Sequence, residues 1–180
     1  MSEQPTLISP LGTALRYGTL MGILLISSTY FIQDYTLTNK KPAPDFVNVF
    51  PLIMLLLAVL LAMIKHTKKF ACRTIRFTEM LGAGIITTFI GAFILAFYMF
   101  MYSAFNEETM KQLDEIGKSS FTSNQIKAAE NIVSPSNILK SLGLGMASFG
   151  VVFFFGFISS FVFSMIVRTF HNMKLVEPDK

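Results

Sequence analysis

Long blocks without any charged residue alternate along the chain with short stretches where charges gather. A helix needs about 20 apolar residues to cross the hydrocarbon core of a bilayer, within a range of about 17 to 25. A soluble bundle of buried helices is the alternative, but such helices carry a polar stripe that these blocks lack. The charge-free blocks cover residues 17–33, 46–64, 80–106 and 141–167. They predict four transmembrane helices, at about residues 11–32, 46–64, 80–102 and 142–167.

The composition agrees with a membrane protein. Hydrophobic residues make up 52% of the chain and charged residues only 14%, whereas about a quarter of the residues in soluble domains are charged. A chain of 180 residues is long enough for one domain of ordinary size. We therefore expect residues 1–180 to form a single all-α domain, an integral membrane bundle of four transmembrane helices.

The distribution of positive charge predicts the orientation of the bundle. The segment 65–76, between the second and third blocks, contains five Lys or Arg and no acidic residue. The positive-inside rule places this segment in the cytoplasm, and an even number of spans then places both termini there as well. The predicted cytoplasmic side has nine Lys and Arg and four acidic residues, whereas the other side has six Lys and Arg and seven acidic residues. The net positive charge thus follows from topology and needs no nucleic acid; the expected neighbours are membrane lipids, including anionic headgroups.

The first block is also a candidate for a cleaved signal peptide. Arg16 gives it a weakly positive start, and the residues Ser27, Ser28 and Thr29 are small. However, the apolar stretch is long, its positive residue comes late, and no Ala-x-Ala-like cleavage site follows it. We therefore expect this block to remain as the first span.

The segment 103–141 is the only sizeable part predicted to lie outside the membrane on the extracytoplasmic side. Asn106 and the two glutamates after it are typical of a helix start, and an apolar face follows at Met110, Leu113 and Ile116. A second short helix is predicted over 123–133, and Ser134-Pro135 begins the last long helix. This short helical loop either docks a partner or covers the end of the bundle, and its narrow apolar faces favour a cover.

Small residues recur every four positions within three of the spans. In lipid, small side chains let two helix backbones approach and gain dispersion contacts, so these residues are the predicted packing faces. Such a pattern does not by itself indicate dimerisation, because helices of one chain use it equally. The predicted packing residues are Gly18 and Gly22 in the first span, Gly84, Thr88, Ala92 and Ala96 in the third, and Gly156, Ser160 and Ser164 in the fourth.

Candidate chemistry is sparse. The interior of the spans contains no ionisable residue, whereas proton-coupled pumping normally needs one. Arg16 and Glu79 lie near the cytoplasmic ends of their spans, where they either form an ion pair at the inner rim or reach water independently. With one cysteine, Cys72, and two histidines, the chain has no recognisable metal spacing. We therefore predict no catalytic residue, no cofactor and no metal.

Hydroxyl groups cluster at three places within the spans. They line a polar path in one interpretation, but hydroxyls in membrane helices more often bond to carbonyls of their own helix or to a neighbouring helix. The clusters are Ser27, Ser28 and Thr29, then Thr87 and Thr88, and finally Ser159 and Ser160.

The order of these features resembles a bacterial family of four-span inner-membrane proteins that is catalogued as a domain of unknown function. The resemblance implies a four-helix fold in a bacterial inner membrane, and it implies no catalytic or ligand-binding residue. Its residues are the small pair Gly18 and Gly22, a Pro-containing outer turn, the basic inner segment ending in Arg76-Phe77, Gly82 and Gly84, the Asn106 region, Ser134-Pro135 and a Gly- and Ser-rich last span.

Two functions from different classes remain open. The first is a non-enzymatic accessory or structural membrane subunit, which acts through helix–helix and outer-loop contacts with another membrane protein. The second is a small carrier or lipid-handling protein that works as a homo-oligomer and uses the hydroxyl clusters as a path. A membrane enzyme is less favoured, because lipid-modifying enzymes gather His, Asp or Glu at one membrane face.

Overall fold

The computed structural model of the protein describes residues 11–70, 74–118 and 137–176, and this part of the chain contains helices but no strand. The predicted helix over 123–133 and the two predicted helix starts at Ser9-Pro10 and Ser134-Pro135 lie outside the described residues. The α-helices are α1 (Leu11–Asn39), α2 (Asp45–Thr67), α3 (Phe77–Phe105), α4 (Glu107–Lys118) and α5 (Asn137–Val176), and a 3-10 turn, Lys68–Phe70, follows α2.

Four of these helices, α1, α2, α3 and α5, are long and apolar enough to cross a membrane. Backbone amides and carbonyls find no partner in hydrocarbon, so a chain with such blocks satisfies them within helices. The predicted all-α bundle of four membrane-crossing helices is confirmed. The segment after α3 begins with the predicted amphipathic helix, which is α4.

The first helix extends beyond the block that predicts its span. The apolar block predicts an end near Ile32, whereas α1 continues to Asn39. Hydrophobicity marks only the part of a helix that lies in lipid, and the polar residues after Ile32 still support helical hydrogen bonds. The helix ends where Lys40 adopts a left-handed backbone conformation, with φ of 50°, which is a common way to stop an α-helix.

A sharp corner at Asn106 joins α3 to α4. The Asn106 backbone N–H donates to the carbonyl oxygen of Tyr102 at 3.0 Å, and its side-chain amide donates to the same oxygen at 3.1 Å. The Asn106 carbonyl in turn accepts from the N–H of Met110 at 3.0 Å. One residue thus closes α3 and opens α4.

The four long helices pack in a diamond. Helices α2 and α3 each contact the other three, while α1 and α5 lie at opposite corners. Gly18 of α1 lies against Ile90 of α3, and Gly22 lies against Ile94 one turn further along both helices, so α1 and α3 are parallel. Both free ends of the bundle, the start of α1 and the end of α5, therefore lie at the end where α3 begins.

The core of the bundle consists mainly of flexible and small side chains. Met21, Val59, Met63 and Met80 are completely buried, and methionine adapts well to the irregular space between helices. The bulky aromatic residues lie mostly outside: Phe93 and Phe154 are about 60% exposed. Because lipid tails solvate apolar groups as well as a protein core does, this inside-out distribution suits a membrane.

Candidate functional site

The first packing seam lies between α1 and α3. A Cβ atom added at Gly18 would lie 2.8 Å from Cβ of Ile90, and one added at Gly22 would lie 2.7 Å from Cγ2 of Ile94. Real side chains do not approach so closely, so only glycine permits this separation of the two helices. The seam also contains a glycine of α3: a Cβ added at Gly91 would lie 2.7 Å from Cε of Met21 in α1.

The second seam lies between α3 and α5, which run antiparallel. Gly84 faces Ser160, where an added Cβ would lie 2.6 Å from Oγ, and one turn along α3 the side chain of Thr88 fills the space over Gly156. Small and larger side chains thus alternate across the seam, which keeps both backbones close without a void. Of the remaining members of these two stripes, Ala92 and Ser164 are completely buried and Ala96 is half-buried.

Three buried hydroxyl groups of the bundle bond to carbonyls of their own helices, whereas Oγ1 of Thr88 is buried and has no hydrogen-bond partner among the described residues. Thr87 donates to the carbonyl of Ala83 at 2.7 Å, Ser160 donates to Gly156 at 2.7 Å, and Ser28 donates to Leu25 at 2.9 Å. This is the common arrangement of hydroxyls in apolar helices. These donors are therefore engaged, and each hydroxyl presents mainly an acceptor oxygen to its neighbours.

The segment before α3 is fastened to the end of α5. The backbone N–H of Ile75 donates to Oδ1 of Asn172 at 3.1 Å, and Nδ2 of Asn172 donates back to the carbonyl of Ile75 at 3.4 Å. Ile75 itself is 2% exposed. Next to it, the Arg76 N–H donates to a carboxylate oxygen of Glu79 at 3.0 Å, which satisfies a backbone donor at the start of α3.

The two residues of the predicted inner-rim ion pair lie at the same end of the bundle. Arg16 lines a groove between α1 and α2 together with Lys65 and Lys69. Glu79 lies in the first turn of α3 and is close enough to His66 to interact with it electrostatically. The pairing of Arg16 with Glu79 stays a prediction.

Helix α4 lies at the end of the bundle where α3 ends, against α1 and α3. Its apolar residues Met110, Leu113 and Ile116 are half-buried, as the spacing predicts for a covering helix. On the exposed side Lys111 forms a salt bridge with Glu107 at 3.1 Å. Exposed pairs of this kind contribute little, so the apolar face is what holds α4 in place.

One face of α5 has small residues that the bundle does not use. Among the described residues, no atom of a neighbouring element lies within 4 Å of a Cβ added at Gly143 or Gly150, and Ala147 between them is exposed. The spacing of four and then three residues places all three on one side of the helix. We call this face, Gly143, Ala147 and Gly150, the outward stripe. Met146 beside the stripe and Phe154, one turn after Gly150, are exposed as well.

A ladder of aromatic rings lies along the first half of the same helix. The ring of Phe89 in α3 meets Phe149 edge to face at 5.6 Å between centroids, and Phe149 stacks on Phe153 at 5.5 Å. The rings join α3 to α5 on the lipid-facing side, beyond the small residues of the seam. Aromatic pairs in these geometries each contribute about 0.5–1.5 kcal/mol beyond the area they bury.

Several of these features are not predicted from the sequence. Gly91 and Gly145 belong to the packing seams, where Gly145 lies 2.9 Å, measured from an added Cβ, from the carbonyl oxygen of Ala96. A signal was present for Gly145, because it precedes Gly156 by about three helical turns and so shares its face. The contact of Asn172 with Ile75 carries no local signal at all. Within residues 11–70, 74–118 and 137–176, no group of three or more His, Cys, Asp or Glu is placed to hold a metal ion.

Four apolar helices packed through small residues define a multi-pass α-helical membrane protein. A model of one protein family, described as a protein of unknown function (DUF4199), matches residues 16–169. The chain belongs to this family, and the match includes most of α1 and α5 and all of α2 and α3. The resemblance to a family of unknown function is thereby confirmed. No curated protein matches the chain, and no solved structure matches it either.

Proposed function

We propose that the protein is a non-enzymatic accessory subunit of a membrane assembly, which holds a transmembrane helix of a partner against the outward stripe of α5. The observation that carries this proposal is the contrast between two sets of glycines. Gly84 and Gly156 let helices of this chain approach each other, whereas Gly143 and Gly150 have open space around them.

The physical argument concerns what a glycine does on a surface that faces lipid. Glycine weakens a helix by roughly 0.5–1 kcal/mol relative to alanine. At a position that faces lipid, no close helix–helix contact compensates for this loss of stability. A second helix that packs closely on the stripe gains dispersion contacts along its backbone, as the seams within the bundle do. The exposed side chains of Met146 and Phe154 would then flank the incoming helix.

We further propose that the assembly lies in a bacterial cytoplasmic membrane with both termini in the cytoplasm. The support is the charge asymmetry of the loops together with the position of Arg16, Lys65 and Lys69, which lie around one groove at the end of the bundle that holds the start of α1. Positive residues are retained on the cytoplasmic side of a membrane.

The accessory role is tested by photo-crosslinking in intact membranes. A photoreactive residue at Ala147 in the outward stripe is expected to yield one discrete protein adduct, while the same residue at Leu57, an exposed position on α2, yields only lipid adducts. Gly143→Leu and Gly150→Leu are expected to abolish the adduct at Ala147. Gly82→Leu, at a glycine of α3 that also has open space, is the matched steric control and leaves the adduct intact.

The mass of the adduct separates the two functions that the sequence leaves open. An adduct with a different protein supports the accessory subunit. An adduct between two copies of this chain supports a homo-oligomer, the arrangement expected of a small carrier or lipid-handling protein. Lipid adducts alone at Ala147 would contradict both uses of the outward stripe.

A further inference from the structure

A groove of about 620 Å³ separates α1 from α2 at the end of the bundle where the chain enters α1. We call it the basic groove. Its walls come from two helices that are adjacent in the chain, and it opens on the outer surface of the bundle rather than into the core. The side chains that line it include those of Thr13, Arg16, Tyr17, Leu20, Lys65 and Lys69.

Helical spacing brings the three positive charges of the basic groove together. Lys65 lies in the last turn of α2, Lys69 lies in the 3-10 turn that follows it, and Arg16 lines the same groove from α1. Among the described residues that line the groove there is no carboxylate. Positive charges that converge in a groove with low-dielectric walls attract an anion strongly, and all three side chains are exposed and able to reach one.

The surface next to the groove is apolar. Leu61 and Leu57 lie one and two turns before Lys65 on α2 and are 48% and 47% exposed. On α1, Leu20 follows Arg16 by one turn and is 47% exposed. A ligand that spans this surface therefore meets cations at the rim and hydrocarbon along the span. A free inorganic anion matches only the first of these, whereas a phospholipid matches both.

We propose that the basic groove binds the headgroup of an anionic phospholipid, with its phosphate between Arg16, Lys65 and Lys69 and its acyl chains along Leu20 and Leu61. The planar guanidinium of Arg16 suits two-point binding of a phosphate, and the two lysines add point charges. The bound lipid would fill the space between α1 and α2 at the inner rim. This inference stands apart from the accessory role of the outward stripe.

Native mass spectrometry of the purified full-length protein tests the proposal, with dioleoyl-phosphatidylglycerol as the anionic lipid and dioleoyl-phosphatidylcholine as the zwitterionic one. Wild type is expected to bind the anionic lipid at least tenfold more tightly. Each basic residue near a membrane surface is worth about fivefold in affinity. The triple variant Arg16→Gln, Lys65→Gln, Lys69→Gln is therefore expected to lose about a hundredfold, which removes the preference.

Matched charge removal elsewhere is the control. Lys40, Lys41 and Lys140 are exposed and lie at the other end of the bundle, and their triple Gln variant is expected to bind the anionic lipid as wild type does. An equal loss of affinity in this control variant would overturn the proposal, because the affinity for the anionic lipid would then depend only on the net charge of the protein. Glycerol 3-phosphate, which has the headgroup phosphate but no acyl chains, is expected not to displace the lipid. Displacement would overturn the lipid assignment in favour of a free phosphate site.

Discussion

The side-chain amide of Asn172 pairs with the backbone of Ile75 through both of its polar atoms, accepting from the N–H at 3.1 Å and donating to the carbonyl at 3.4 Å. The two residues are 97 positions apart, and the pair joins the start of α3 to the end of α5. Ile75 is buried, so its backbone groups depend on this partner rather than on water.

Replacing Asn172 by Ala should therefore destabilise the bundle. The change leaves a buried N–H and a buried carbonyl without their partner, which costs about 1–3 kcal/mol. Thermal unfolding in mild detergent measures the loss. Asn172→Asp keeps the acceptor but loses the donor, and should fall between wild type and Asn172→Ala. As a control, Asn39→Ala removes a local, exposed hydrogen bond to Tyr35 and should change stability by less than about 0.5 kcal/mol. An equal loss of stability in Asn172→Ala and Asn39→Ala would refute the role of Asn172.

The glycines of α5 should respond in opposite directions to alanine. At Gly156 an added methyl group meets the side chain of Thr88, whose Oγ1 would lie 2.7 Å from it, and overpacking of this kind costs about 1–3 kcal/mol. At Gly150 nothing lies within 4 Å, so alanine should stabilise the helix by about 0.5–1 kcal/mol. Unfolding of both variants in the same detergent gives the comparison.

A second substitution shows whether the cost at Gly156 comes from the seam. Thr88→Ala removes the two outer atoms of the threonine side chain and should recover part of the stability that Gly156→Ala loses. The recovery appears as a coupling energy in a double-mutant cycle. Additive losses would mean that the two residues do not press on each other.

The number of spans and most packing faces are predictable from the sequence, for a physical reason. Lipid requires long uninterrupted helices, and helices in lipid associate mainly through small residues. Both requirements leave a local pattern, such as the recurrence of Gly84 and Thr88 or the pair Gly18 and Gly22. The end of α1 is less predictable, because the polar residues beyond Ile32 mark the end of the lipid-facing block rather than of the helix.

The rotation of α5 is not revealed by the hydrophobicity of its residues, and only its small residues indicate it. Phenylalanine occurs nearly all round this helix, so hydrophobicity does not distinguish a buried face from a lipid-facing one. Gly143 and Gly145 are two positions apart, and only the helical spacing to Gly156 distinguishes Gly145, which lies in a seam, from Gly143, which lies outside it. The contact between Asn172 and Ile75 is equally hidden, since a single polar residue predicts no partner so distant in the chain.

The apolar face of α4 should matter far more than its salt bridge. Leu113→Ala removes half-buried apolar area at about 25 cal/mol for each Å² exposed and should loosen α4 from the bundle. Lys111→Ala breaks the exposed pair with Glu107 and should cost less than about 0.5 kcal/mol. Hydrogen–deuterium exchange of the α4 amides should accelerate in the first variant and remain as in wild type in the second. Equal acceleration would show that the ion pair holds the helix.

The proposed orientation can be measured with the single cysteine of the chain, Cys72, which the charge pattern assigns to the cytoplasmic segment 65–76. In intact cells a membrane-impermeant maleimide should leave Cys72 unlabelled, and permeabilisation should expose it to the reagent. A Cys72→Ser variant that carries Thr38→Cys moves the thiol to the outer end of α1, where Thr38 is exposed. This variant should react in intact cells, because a single span, α2, separates positions 38 and 72 and so places them on opposite sides of the membrane. The reverse labelling pattern would invert the topology, and it would also place the basic groove on the outer face.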